Sequence, residues 1–178
     1  MTTITNDIRD VEATSVGDAL EYLQRAIGAA NAEKGFHAEG DAFRASAEAT
    51  EEGVGAFADD DRIAAAGPVS LRNYYAARLA LLTTEVAEAI EELRNGRAVN
   101  ETWYSAKVNG GTYAWNAGEQ PEVLSDVIGK PEGVPSEVAD VVIRAFDFAD
   151  EAGFDLAAII AEKLAYNATR GHKHGREF

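Results

Sequence analysis

The chain has 178 residues, 31 acidic and 16 basic, for a formal charge of −15, with 46% apolar residues and no Cys. That length and apolar content suit one domain with a buried core and argue against wholesale disorder, while the lack of thiols excludes disulfide staples, thiolate metal sites and a Cys nucleophile. The charge speaks against nucleic-acid backbones and anionic lipid as partners. No run approaches the ~18 apolar residues of a membrane span. The opening MTTITNDIRD lacks the basic-then-apolar order of a signal peptide, and a reducing cytoplasm is the expected location.

Residues 1–14 read as a flexible tail and 15–178 as a single domain. A first helix is expected from Ser15 to Glu33, where Ala19, Leu20, Leu23, Ala26, Ile27 and Ala30 recur at helical spacing. Residues 34–67 are rich in Ala, Gly and acids and read as a long excursion with one weak helix near 41–50. A second helix starts at Ser70, beyond Gly67-Pro68, with Tyr75, Leu79, Leu82, Val86, Ala89, Ile90 and Leu93 on one apolar face. It stops at Asn95-Gly96.

Residues 98–135 form a second insertion. Within it, Thr102 to Asn116 sets aromatic and β-branched residues on both sides of Asn109-Gly110-Gly111, the chemistry of a tight hairpin. Residues 117–135 read as a linking segment bearing Pro and Gly. A third helix begins near Ser136 and ends at Gly153; Asp155 caps a fourth that runs to about Arg170. The expected fold class is all-α: a four-helix bundle with long inter-helix insertions and a small β-hairpin.

Two of these helices carry paired carboxylates. Glu85 and Glu88 stand three residues apart on the second helix, and Glu137 and Asp140 on the third, so each pair projects from one side of its helix. Such pairs usually mark only a solvated face. Four carboxylates gathered from two helices would repel one another, and a hard divalent cation with oxygen ligands removes that conflict. A di-iron bundle would need Glu-x-x-His pairs, and none of His37, His172 and His174 has a Glu three positions earlier.

The opposite charge is concentrated at the end of the chain. Residues 163–178 carry Lys163, Arg170, Lys173 and Arg176 against Glu177 alone, together with His172 and His174. Lys163, Asn167 and Arg170 share one helical stripe, with His174 just beyond, an arrangement suited to the oxygens of a phosphate chain. The plain alternative is a snorkelling Lys and an ordinary C-terminal Arg. Phe36, Trp103 and Trp115 are candidates for stacking on a base, against the alternative of simple packing.

LLTTEVAEAIEELRNGR (81–97) and KPEGVPSEVADVVIRAFDFADEAGFDLAAIIAEKLAYNATRGHKHGREF (130–178) resemble the MazG-like nucleotide pyrophosphohydrolases of the all-α NTP pyrophosphatase superfamily, in their phage and actinobacterial forms. The superfamily pattern of E-x-x-E, then E-x-x-D, then Lys and Asn falls on Glu85, Glu88, Glu137, Asp140, Lys163 and Asn167. Tyr166 to Gly175 adds a local likeness, and residues 31–37 match more loosely. The two insertions depart from compact members. The resemblance implies Mg²⁺-dependent hydrolysis of a (d)NTP to (d)NMP and pyrophosphate, with Mn²⁺ as the alternative metal. It gives metal binding to Glu85, Glu88, Glu137 and Asp140, and water activation to Glu88 or Glu85. Charge compensation falls to Lys163 and Arg170, and a hydrogen bond to phosphate or sugar to Asn167. It also implies a homodimer or a dimer-based tetramer. The competing expectations are an acidic helical protein-binding module, and a nucleotide-binding relative without turnover.

Overall fold

The structure, a computed structural model, describes residues 16–53 and 61–169, with side chains described over 17–49 and 70–169. The tail at 1–14, and with it Arg170 and His174, lies outside the described residues. The elements in chain order are α1 (Val16–Glu33), α2 (Ala38–Gly53), α3 (Asp61–Arg94), β1 (Trp103–Val108), β2 (Gly111–Asn116), a 3₁₀ turn (Glu122–Leu124), β3 (Lys130–Glu132), α4 (Val134–Ala152) and α5 (Leu156–Ala168). No helix among the described residues is long and apolar enough to cross a membrane.

The expected all-α four-helix bundle is overturned. Five helices among the described residues accompany a three-stranded antiparallel sheet of order β2-β1-β3, so the fold is mixed. The hairpin itself follows from its turn: Asn109 and Gly110 take positive φ (51° and 81°), and β1 and β2 pair from Trp103↔Asn116 to Val108↔Gly111. That pairing satisfies only one edge of β1. Its other edge still presents unpaired backbone groups, and Lys130–Glu132, within the expected link, pairs there through Trp103↔Glu132 and Ser105↔Lys130.

The excursion at 34–67 is also corrected. Most of its described part is helix: α2 spans 16 residues of mainly Ala and Glu, which favour helix. α3 begins at Asp61 rather than Ser70, so Gly67-Pro68 lies inside it. Pro removes one intrahelical hydrogen bond, which the remaining ladder of a 34-residue helix absorbs.

The backbone groups into two compact units. One comprises the described parts of 1–76 and 146–178, and the other comprises 77–145. In the first, α5 packs on α1. Gln24 Nε2 donates to Phe154 O at 2.9 Å and its Oε1 accepts from Leu156 N at 3.1 Å, while Asp155 caps α5 by accepting from Ala158 N. Ring contacts run from Phe43 to Tyr74, Tyr75, Phe148 and Phe154 at 5.4–6.0 Å between centroids. Arg44 ties α2 to α4 by donating to Glu151 O at 2.6 Å.

In the second unit the sheet leads directly into α4. Gly133, at φ 98°, makes the turn; a Cβ there would lie 2.5 Å from Glu101 O, so only Gly fits. Pro135 then falls in the first turn of α4, where its missing N–H costs nothing. At the other end of the insertion, α3 closes at Gly96 (φ 84°), with Arg97 N donating back to Glu92 O at 3.1 Å.

Candidate metal centre

Within the second unit, Glu85 comes from α3 and Glu137 and Asp140 from the first two turns of α4. One carboxylate oxygen from each lies within 4.8 Å of the others. Glu85 and Glu137 are buried, each about 5% exposed, and Asp140 is half-buried. Carboxylates this close and this shielded from water oppose one another's ionisation. Glu137 shows the effect: burial first, then the charge of Glu88, with Asp140 and Glu85 adding to it, pushes its carboxyl above the usual range. Lys130 works in the opposite sense.

Two cations meet this cluster. Arg144 Nε donates to Glu85 Oε1 at 2.5 Å. Lys130 on β3 donates to Glu132 Oε2 at 2.7 Å, and that bond, with the charges of Glu137 and Asp140, raises its pKa. The sheet insertion therefore delivers positive charge to the acidic cluster through the short connection from β3 into α4. Arg144 was legible in principle, since it follows Asp140 by four residues and Glu137 by seven on one stripe of α4. Lys130 was not, because its position depends on the pairing of β3 with β1.

Compared with family models, curated proteins and solved structures, the chain matches none. The donors at the site are oxygens on two helices, three carboxylates facing two neighbouring cations. That set fits a hard divalent cation, Mg²⁺ or Mn²⁺, better than a soft one.

The remaining expected site residues are placed as follows. Glu88 is exposed on α3; it is outside the oxygen triad, although its charge reaches Glu137. Trp103 on β1 donates from Nε1 to Glu92 Oε2 at 2.9 Å and lies under the Arg97 guanidinium, 4.9 Å from the ring centre. Those contacts engage its polar edge and one ring face. Trp115 is buried and stacks on Tyr104 at 6.2 Å. Lys163, Asn167 and Phe36 belong to the other unit. Lys163 is exposed on α5 with its ammonium 5.8 Å from the Tyr166 ring, Asn167 is exposed one turn further on, and Phe36 is 58% exposed in the turn before α2.

Proposed function

We propose that the chain is a Mg²⁺-dependent nucleoside triphosphate pyrophosphohydrolase, converting a (d)NTP to (d)NMP and pyrophosphate. The observation that carries the reading is the triad of Glu85, Glu137 and Asp140, with oxygens within 4.8 Å of one another. Three carboxylates would serve many divalent-cation reactions. The choice of a phosphoanhydride substrate rests on the resemblance of 81–97 and 130–178 to the MazG-like enzymes.

Mg²⁺, or Mn²⁺ in its place, would supply there a Lewis acid for phosphate oxygens and a bound water of lowered pKa. Glu85, Glu137 and Asp140 hold the cation. Glu88, outside the triad and exposed, is the carboxylate left to take a proton from the attacking water. The roles of Lys163, Asn167, Arg170 and His174 toward phosphate and substrate rest on the resemblance and on their helical stripe.

We further infer assembly with a second copy of this chain. Leu79, Val86, Ile90 and Leu93, the apolar stripe of α3, are each 45–48% exposed, as are Val138 and Val142 of α4 at 53% and 45%. Apolar stripes left open to water at this scale mark contact surfaces. Sedimentation equilibrium is expected to return a dimer or tetramer.

The deciding experiment is pyrophosphate release from a full panel of NTPs and dNTPs, modified bases included, with Mg²⁺ present. At least one substrate is expected to turn over. Tight Mg²⁺-dependent nucleotide binding without release identifies a non-hydrolysing binder, and absence of both leaves the acidic protein-binding module.

A further inference from the structure

We infer that Arg144 is a metal-responsive positioning residue: it holds Glu85 in the metal-free protein and gives it up, turning its guanidinium to substrate phosphate, once a divalent cation is held by the triad. The inference rests on the metal-dependent reading above and names a regulator of that same site.

Glu85 is one of the two buried members of the cluster. Its side chain is 6% exposed, and Glu137 and Asp140 stand beside it. An ionised carboxylate so placed needs a positive partner, and Arg144 Nε supplies it at 2.5 Å. The arginine itself is placed differently. Its side chain is 38% exposed, and Glu85 is its one bonded partner among the described residues. A guanidinium carries five N–H donors in a planar fork, so most of its hydrogen-bonding capacity is uncommitted to protein partners among the described residues.

The position of Arg144 in sequence has the same logic. It lies four residues after Asp140 and seven after Glu137, so one stripe of α4 carries two triad carboxylates and the cation that answers the third. A divalent cation shared by these three carboxylates meets Arg144 as a like charge, and the two compete for Glu85. Arg144 then loses its reason to stay, while a phosphate arriving at the same place offers its fork a bidentate partner. Lysine could pair with Glu85 but could not make that planar contact.

A salt bridge that persists beside the metal and one that is given up differ in whether Arg144 Nε–H stays protected once the cation is bound, and both require the cation to compete with a neighbouring positive charge. With Mn²⁺ alone as the probe, Arg144→Gln is expected to bind the metal on the order of tenfold more tightly than wild type, since the competing charged hydrogen bond is gone. Its thermal stabilisation by Mn²⁺ is expected to exceed that of wild type. Arg144→Lys is expected to restore wild-type metal affinity while leaving KM for the nucleotide raised. Should Arg144→Gln fail to fold, the wild-type protein answers directly by NMR. The Arg144 Nε–H signal, assigned by its loss in Arg144→Lys, is expected to be protected in the metal-free protein and to lose protection on addition of Mg²⁺. Wild-type binding of Mn²⁺ with equal or weaker binding in Arg144→Gln, or an Nε–H signal unmoved by bound Mg²⁺, overturns the inference alone. Wild-type protein that binds no Mn²⁺ overturns the metal-centre reading, and this inference with it.

Discussion

His37 Nε2 stands 2.7 Å from Asp147 Oδ1, both side chains buried, and so ties the turn before α2 to the C-terminal half of α4. Each would be costly to bury alone, and Asp147 lies beside two further acids in sequence, Asp150 and Glu151. His37→Ala removes this contact and opens space in the same step. It is expected to cost about 1.5–3 kcal/mol, the range for a lost hydrogen bond to a charged group. Urea denaturation checks it, and a midpoint equal to that of wild type would show the pair to be incidental.

Glu137 gives the candidate metal centre a pH signature. Burial, reinforced by Glu88, Asp140 and Glu85, holds its folded-state pKa above the unfolded one, so the folded protein binds that proton more tightly. Without metal, the resulting stability is full below the ordinary Glu pKa of about 4.3 and is lost as pH rises through the raised value. Metal binding runs the other way, since it needs the carboxylate. Mn²⁺ affinity is expected to fall as pH drops through that raised value, and in Glu137→Gln this component of the metal-free stability profile is expected to vanish. A titration series between pH 4 and 8 reads both, and pH-independent Mn²⁺ affinity would count against the assignment.

Removing one triad charge at constant shape separates chemistry from folding. Glu137→Gln and Asp140→Asn are each expected to lower pyrophosphate release at least about 100-fold, because on the proposed reading the cation they hold would carry the transition-state charge. The helical circular dichroism is expected to persist, since these substitutions relieve repulsion rather than remove packing. Full activity in either variant would remove that residue from the site.

Gly28 marks the close approach of α1 to α4. A Cβ at this position would lie 1.9 Å from Asp150 Oδ2 and 2.7 Å from Asp150 Cβ, so the clash is not confined to a movable tip. Gly28→Ala is expected to cost about 1–3 kcal/mol, the usual penalty for overpacking. Truncating the obstacle in Gly28→Ala/Asp150→Ala is expected to recover much of that loss, which a double-mutant cycle measures directly. Burial also raises the pKa of Asp150, opposed by His37, so Asp150→Asn alone is expected to raise the Tm at neutral pH with no gain at low pH.

Local chemistry accounts for much of the fold. Asn109-Gly110 specifies the hairpin through its positive φ values, Gly96 and Gly153 end helices by the same freedom, and Asp155 caps α5 with its own side chain. The shared side of Glu137 and Asp140 is readable because a three-residue spacing places them together wherever that helix lies, whereas the approach of Glu85 from α3 is not. Gly67-Pro68 shows the limit of local chemistry. Its breaker chemistry is local, whereas α3 continues through it because the rest of a long helical ladder outweighs one lost bond.

Other features depend on residues brought together from afar. KPE carries no strand pattern, and β3 exists because the free edge of β1 needs a partner some 27 residues away. α2 forms from residues that favour helix, but its place in the fold is set by Phe43 against Tyr74 and by Arg44 reaching Glu151 O. Arg144 against Glu85 and His37 against Asp147 span 59 and 110 residues. Spacing within one helix constrains which groups can share a face, because the helical repeat is the same everywhere. Which buried charge receives which partner is a matter of desolvation and distance between separate elements, and those quantities exist only once the chain has folded.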